Sequence, residues 1–397
     1  MKLYQKIIIA ILVVIAVVVT SVTVWATFAY KDANATFNAI SKKIERATSP
    51  KREKAISYED RDPITIALLG LDTGGLGRTE QGRSDTMMIV TLNPRQKKTT
   101  VVSIDRDIYT KIVGYDTYDK LNHAYAFGGV KMSLNSIEYL LDVPIDHYIA
   151  INFTGLSDLI DAVGGITVDN KIDFTLDGVH VPKGKHHLNG ESGLAYARMR
   201  YEDPEGDIGR QRRQREVVTK IVNKVIGLDG VTKYKKILKA VEDNCSTNLS
   251  WDQLMDISKN YVPALDNIKS YQLSGIEPDW MSDVYYQVVG KHRLLNIQNL
   301  IKSELGLPTR SELPISDGYS DGYIEKQLYD DEDEPLVDDD TAKKSSTESS
   351  SDSSEQTTDE VYDSNGYQED GSDYQVEAQN IATNEWLKSG SLSSSVV

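Results

Sequence analysis

The chain has 397 residues, 60 acidic against 44 basic side chains, a formal net charge of -16 and one cysteine, Cys245. A single cysteine excludes an intramolecular disulfide, so an exported fold must rest on a hydrophobic core. The acidity is local: residues 310–397 hold 23 acidic and 5 basic side chains, a net of -18, which leaves residues 1–309 at about +2 and excludes a uniformly polyanionic protein.

Lys2 and Lys6 precede an uncharged run of 24 residues, Ile7 to Tyr30. As a helix this run would cover about 36 Å, enough to cross a bilayer. The short basic tail predicts a cytoplasmic N terminus with everything after Lys31 outside, and Trp25, Phe28 and Tyr30 at the outer interface. A cleaved signal peptide is the alternative, but its apolar core usually runs about 7 to 15 residues. We therefore expect residues 1–6 as a cytoplasmic tail, 7–30 as an uncleaved transmembrane signal-anchor and 31–59 as an extracellular linker. The protein is expected in the cell membrane, single-pass.

Residues 60–308 are long enough for one large domain. Ile64 to Leu71, Thr86 to Leu92 and Thr99 to Ile104 are apolar, partly β-branched runs of strand length, the last two separated by Asn93-Pro94. An antiparallel meander would bring Asp72, Arg83, Asp85, Arg106 and Asp107 to one sheet edge. Met132 to Leu141 and Thr154 to Val163 are expected as helices, the second closed by Gly164-Gly165 before a strand from Ile166 to Ile172. A helix should start at Asn189, and Asp207 is expected to cap a longer one running through Val225. Trp251 to Asn260 and His292 to Leu305 are helical patterns, and Ser270 to Leu273 is strand-like. Alternating strands and helices predict an α/β fold with a central mixed or antiparallel sheet flanked by helices.

Between Tyr196 and Arg215 lie six arginines in twenty residues. Guanidinium stays charged and offers donors in a fork that fits phosphate oxygens, so a bound polyanion is the leading explanation and a solvated helix face the bland one. Arg210, Arg213 and Gln214 share one side of a helix whose N-terminus already favours anions, and Arg198 and Arg200 flank the preceding loop. Phosphoryl transfer also calls for a hard cation, which Asp72 and Asp85 could ligate; each alone is equally a turn residue. Thr73-Gly74-Gly75-Leu76-Gly77 lacks P-loop and dinucleotide spacing and is expected as a flexible lip. His186-His187 is expected as surface rather than a metal site.

From Asp330 to Asp340 eight of eleven residues are acidic, followed by a Ser-rich stretch with few apolar residues. Such composition cannot offset chain entropy by burial, so 309–397 is expected as a disordered acidic tail.

The ordered segments Gly82-Arg83-Ser84-Asp85-Thr86, Ser103-Ile104-Asp105-Arg106-Asp107, Lys120-Leu121-Asn122-His123-Ala124-Tyr125, Gly164-Gly165-Ile166, Ala197-Arg198-Met199-Arg200 and Asp207-Ile208-Gly209-Arg210-Gln211-Arg212-Arg213-Gln214 resemble the LytR-CpsA-Psr family over about residues 60–228. The resemblance implies a LytR-CpsA-Psr-like α/β fold and a wall-glycopolymer ligase of Gram-positive bacteria. Such an enzyme takes a polymer joined through pyrophosphate to a polyprenyl lipid and transfers it, as a phosphodiester, to muramic acid of peptidoglycan. By position, Asp72 and Asp85 would hold Mg2+ (or Mn2+). Arg83, Arg106, Lys120, Arg198, Arg200, Arg210 and Gln214 would contact the pyrophosphate, and Asp207, or else Asp107, would accept the attacking hydroxyl's proton. Asp105 departs from the family, which usually has proline before Arg-Asp. Teichoic acid, capsule and rhamnose-rich polymers all remain open. Two alternatives are a lipid-pyrophosphate phosphatase and a non-enzymatic anchored regulator; a six-residue cytoplasmic tail is too short for a DNA-binding module, so no nucleic acid partner is expected.

Overall fold

The computed structural model describes Lys31 and residues 49–338, apart from internal stretches of which 74–81, 227–236, 279–283 and 317–321 are the longest. The expected anchor (7–30), the glycine lip after Thr73 and the Ser-rich end of the tail lie outside the described residues. No helix among the described residues is long and apolar enough to cross a membrane.

The three expected strands form as an antiparallel meander: β1 (Ile64–Leu71), β2 (Ser84–Asn93) and β3 (Lys98–Ile104). β6 (His147–Asn152) adds parallel to β1, β11 (Cys245–Thr247) antiparallel to β6, and β12 (Ile268–Leu273) parallel to β3. The result is a mixed six-stranded sheet in the order β11-β6-β1-β2-β3-β12. Both faces are covered, because side chains alternate along each strand. Ala67, Leu69 and Leu71 pack with helices α1 (His123–Leu141) and α6 (Lys291–Leu305), while Ile64, Ile66 and Leu68 meet Ile257 of α5 (Trp251–Asn260) and Tyr261 just beyond it.

Helix α1 begins well before Met132, with non-helical Gly128 and Gly129 inside it. The expected helix from Thr154 is α2 (Phe153–Ala162), capped by Asn152. A second core joins α2 to α3 (Gly190–Arg198) and α4 (Gly206–Ile226) over the short strands β7 (Ile166–Asn170) and β9 (Val179–Val181). Asn189, the expected helix start, caps α3 through a reciprocal box with Ser192. Asp207 is not a cap: α4 starts at Gly206, whose φ of 53° suits glycine, and places Asp207 in the first turn.

Two boundaries are corrected. The described part of the expected linker, from residue 49 to 59, is not one, because Arg52 pairs with Asp146 (Nε to Oδ1 2.8 Å) and Ile56 and Tyr58 join the cluster around Tyr261. Nor is the segment after 309 wholly disordered. β15 (Tyr323–Ile324) pairs with β14 (Ile315–Ser316), and β16 (Leu328–Tyr329) pairs with β13 (Val289–Gly290). Tyr323 and Leu328 are buried in the main core, and Asp331 accepts backbone N–H bonds from His292 and Arg293 at the start of α6. A few apolar side chains and one cap outweigh the charge of the surrounding run.

Candidate functional site

The edge where β1 ends, β2 begins and β3 ends collects the ionisable groups. The pairing of β1 with β2 slips between Gly70↔Thr86 and Leu71↔Ser84, so Asp85 is the extra residue of a bulge. A bulge re-aims the side chain it inserts. Gly70 permits the close approach, since a Cβ there would lie 2.8 Å from that of Thr86. Asp72, next to the bulge, is buried; its Oδ1 accepts from Arg83 N at 2.6 Å, while its own N–H donates to Arg83 O. A Cβ on Gly82 would collide with that carboxylate oxygen.

Arg106, after β3, pairs with Asp85 (3.0 Å) and Asp107 (3.4 Å). Lys120 comes from β5 (Thr117–Lys120), the second strand of a hairpin with β4 (Tyr109–Ile112), and also meets Asp107 at 3.4 Å. Asn122 follows that hairpin and donates to Asp85 Oδ1 at 3.3 Å. From α4, Asp207 pairs with Arg210 (2.7 Å) and with Arg200 (3.6 Å), and Gln214 lines a small crevice with Asp85, Ser103 and Gln211. Burial pushes the Asp85 carboxyl up, but Arg106, Arg210 and Asn122 outweigh it and hold it below its ordinary value. Arg210, burdened by burial and by Arg106 and Arg200 nearby, lies below the usual guanidinium value. The Nε of Arg210 and the Oε1 of Gln214 are buried without a hydrogen-bond partner among the described residues.

Of the expected site residues, Asp85, Arg106, Asp107, Lys120, Arg200, Asp207, Arg210 and Gln214 therefore converge, with Asp72 and the Arg83 backbone at the adjoining strand ends. Arg213 does not join them. It is 7% exposed and spends its guanidinium on Asp203 and on the carbonyls of Tyr196 (3.0 Å) and Met199, tying α4 to the preceding loop. This corrects the expectation that it joins Arg210 and Gln214 in binding an anion: sharing a helix side with Arg210 did not decide its partner, because buried Asp203 claimed it. Arg198 reaches Asp177 (2.6 Å) and lies over the Phe153 ring. Among the other arginines of the cluster, Arg212 pairs with Glu205 at the surface and Arg215 donates to Ser103 beneath the sheet edge. The histidine pair lies on β10 (Gly184–Leu188), half-buried at His186 and exposed at His187, and no group of three metal-ligating side chains occurs among the described residues.

Sequence reasoning missed Asn122, Gln211 and the role of Asp105. Asp105 is 4% exposed and accepts from Gln211 Nε2 (2.6 Å) and Gln272 Nε2 (3.1 Å). Burial, aided by the charge of Asp207 and opposed by those amides, lifts its carboxyl to about 6.

Two carboxylates, Asp72 and Asp85, at neighbouring strand ends fit a hard cation that takes the rest of its shell from water and phosphate, as Mg2+ does, and not one that needs an all-protein cage. Four cations (Arg106, Lys120, Arg200, Arg210) meet three carboxylates (Asp85, Asp107, Asp207), so the side chains alone offer little surplus for a diphosphate.

Comparison with known proteins identifies the family. The LytR_cpsA_psr family description matches residues 27–303, well beyond the motifs that suggested it. The polyisoprenyl-teichoic acid–peptidoglycan teichoic acid transferase TagU of Enterococcus faecalis is 44% identical over 277 residues, 70% of this chain and 89% of that protein. A structure from Enterococcus faecalis, described as a transcriptional regulator, is 51% identical over 65% of this chain and 93% of its own, with a TM-score of 0.59. The YwtF (TagT) protein of Bacillus subtilis with bound octaprenyl pyrophosphate lipid is 29% identical, covers 66% of this chain and 98% of its own, and has a TM-score of 0.53. The chain belongs to the LytR-CpsA-Psr family.

Proposed function

We propose that the protein is a transferase that moves a glycopolymer from a polyprenyl-pyrophosphate carrier to a muramic acid hydroxyl of peptidoglycan, on the outer face of a membrane in which residues 7–30 anchor it. The observation that carries this reading is the convergence of Arg106, Lys120, Arg200 and Arg210, interleaved with Asp85, Asp107 and Asp207, at one sheet edge. A relative of the same fold holds a polyprenyl pyrophosphate, and another is named a teichoic acid transferase, which makes teichoic acid the first polymer to test.

The cations grip the diphosphate and stabilise charge on the leaving polyprenyl phosphate. The acceptor oxygen attacks the phosphorus that bears the polymer, the bond to the bridging oxygen breaks, and Asp207, or else Asp107, takes the hydroxyl proton. Asp72 and Asp85 would hold Mg2+ or Mn2+, which when bound would neutralise phosphate charge. Energy comes from the donor's own pyrophosphate, so no nucleotide site is required.

The test is incubation of the purified protein with labelled lipid-linked polymer and peptidoglycan. Wall-bound label is expected. Release of free polymer without wall-bound product would overturn ligation in favour of hydrolysis.

A further inference from the structure

Asp105 is a costly group in its position. It is buried directly after β3, forms no ion pair among the described residues, and is held by neutral amides: Gln211 from α4, Gln272 from β12 and the side chain of Gln287. The charged group that faces it is Asp207, a like charge, while the neighbouring Arg106 is turned to Asp85 and Asp107. A buried carboxylate without a cation costs stability.

Gln211 explains what that cost accomplishes. Its amide nitrogen carries two hydrogens, and both are used, one on Asp105 Oδ1 (2.6 Å) and the other on Asp207 Oδ2 (3.0 Å). Its Oε1 is buried with no hydrogen-bond partner among the described residues. With both carboxylates ionised the amide has one tolerable orientation, since a flip would aim Oε1 at two anions. A neutral group in place of the Asp105 carboxylate could instead donate to Oε1. Gln211 could then turn over, and Asp207 would lose its bond.

We propose that Asp105 and Gln211 are positioning residues for the transfer reaction: the Asp105 carboxylate fixes the Gln211 amide, which in turn holds the Asp207 carboxylate in its place beside Arg200 and Arg210. This rests on the assignment of Asp207 as proton acceptor. It assigns a role to a buried aspartate that touches neither the cations of the cluster nor the strand-end carboxylates proposed for the metal.

The experiment measures kcat, donor KM and the pH dependence of kcat for the full chain with labelled lipid-linked polymer, in wild type, Asp105→Asn, Gln211→Ala and Asp207→Asn. Asn at 105 matches the shape of the protonated acid and removes a buried charge, so this variant is expected to fold. Asp105→Asn should lower kcat about tenfold with donor KM within about twofold, and should lack the acid limb expected of wild type near pH 6, where the Asp105 proton leaves. Gln211→Ala should lower kcat similarly. A substitution that merely disturbed packing would not remove a limb from the pH profile. Wild-type kcat and an unchanged acid limb in Asp105→Asn and Gln211→Ala, with activity lost in Asp207→Asn, would overturn this inference alone. Full activity in Asp207→Asn would overturn the proton-acceptor assignment and this inference with it.

Discussion

The acidic segment after Gly322 ought to be dispensable for stability if composition alone ruled it, and the fold says otherwise. Tyr323 is 3% exposed, and its hydroxyl donates to Leu140 O (2.8 Å) while accepting from Gln298 Nε2 (2.7 Å). Its ring packs in the main core near Tyr139, with centroids 5.4 Å apart. Tyr323→Ala removes a fully buried aromatic side chain, a change that typically costs about 3–5 kcal/mol. For a domain of this size each kcal/mol lowers the melting temperature by about 2–4 °C, so a drop on the order of 10 °C is expected. Tyr323→Phe keeps the ring and should cost only about 1 kcal/mol. The assay is thermal unfolding of the full chain followed by circular dichroism, with Tyr362→Ala, in the Ser-rich end of the chain, as a comparison. A melting temperature within about 1 °C of wild type for Tyr323→Ala would refute the docking of this segment and restore the disordered-tail reading from residue 309 onward.

Four further outcomes are expected. Arg106→Ala should lower kcat/KM about 10²- to 10³-fold in the labelled-polymer assay, the usual loss when one preorganised charge donor at a transferring centre is removed. Arg213→Ala should instead cost about 3–5 kcal/mol in denaturant unfolding, because it strands the buried Asp203 carboxylate, whereas Arg212→Ala, whose pair with Glu205 is exposed, should cost under about 0.5 kcal/mol. Asp105 should make stability fall with rising pH: its folded value of about 6 exceeds the ordinary aspartate value, so its contribution is full below about pH 4 and lost as pH passes 6. The loss is at most about 3 kcal/mol, and melting temperature against pH should flatten in Asp105→Asn, which should also melt higher than wild type above pH 6. Treatment with a chelator should abolish turnover and Mg2+ or Mn2+ should restore it, while undiminished activity in chelator would remove the cation from the reaction.

The central sheet was legible because β1, β2 and β3 are short apolar runs separated by clear breaks, and a meander needs no long-range information to pair them. That is why the meeting of Asp72, Arg83, Asp85, Arg106 and Asp107 could be expected at one edge. The hairpin that delivers Lys120 was not legible, since Tyr109–Ile112 and Thr117–Lys120 are too short and too polar to register as strands. Helix periodicity placed Arg210, Arg213 and Gln214 on one side but could not say which would meet a buried carboxylate. Asp203 lies in an irregular loop, and its burial is set by tertiary packing against Gly209 and Arg213. The docked segment around Tyr323 was hidden for the opposite reason: its few anchoring residues are diluted by a run of like charge.

The division of labour among the arginines follows from where their counter-charges sit. Arg213 and Arg215 face fixed partners in the interior, Asp203 and Ser103, and rigidify α4 against the loop and the sheet. Arg106, Arg200 and Arg210 face Asp85, Asp107 and Asp207, carboxylates only partly buried at the sheet edge, in shared pairings that leave the Arg210 Nε without an acceptor among the described residues. Such pairs hold the guanidinium groups in place while leaving donor capacity unspent, which is what preorganisation for an anion requires. A cluster built from cations alone would repel itself and splay; one fully neutralised would not attract a diphosphate. The near balance of four cations and three carboxylates sits between these limits.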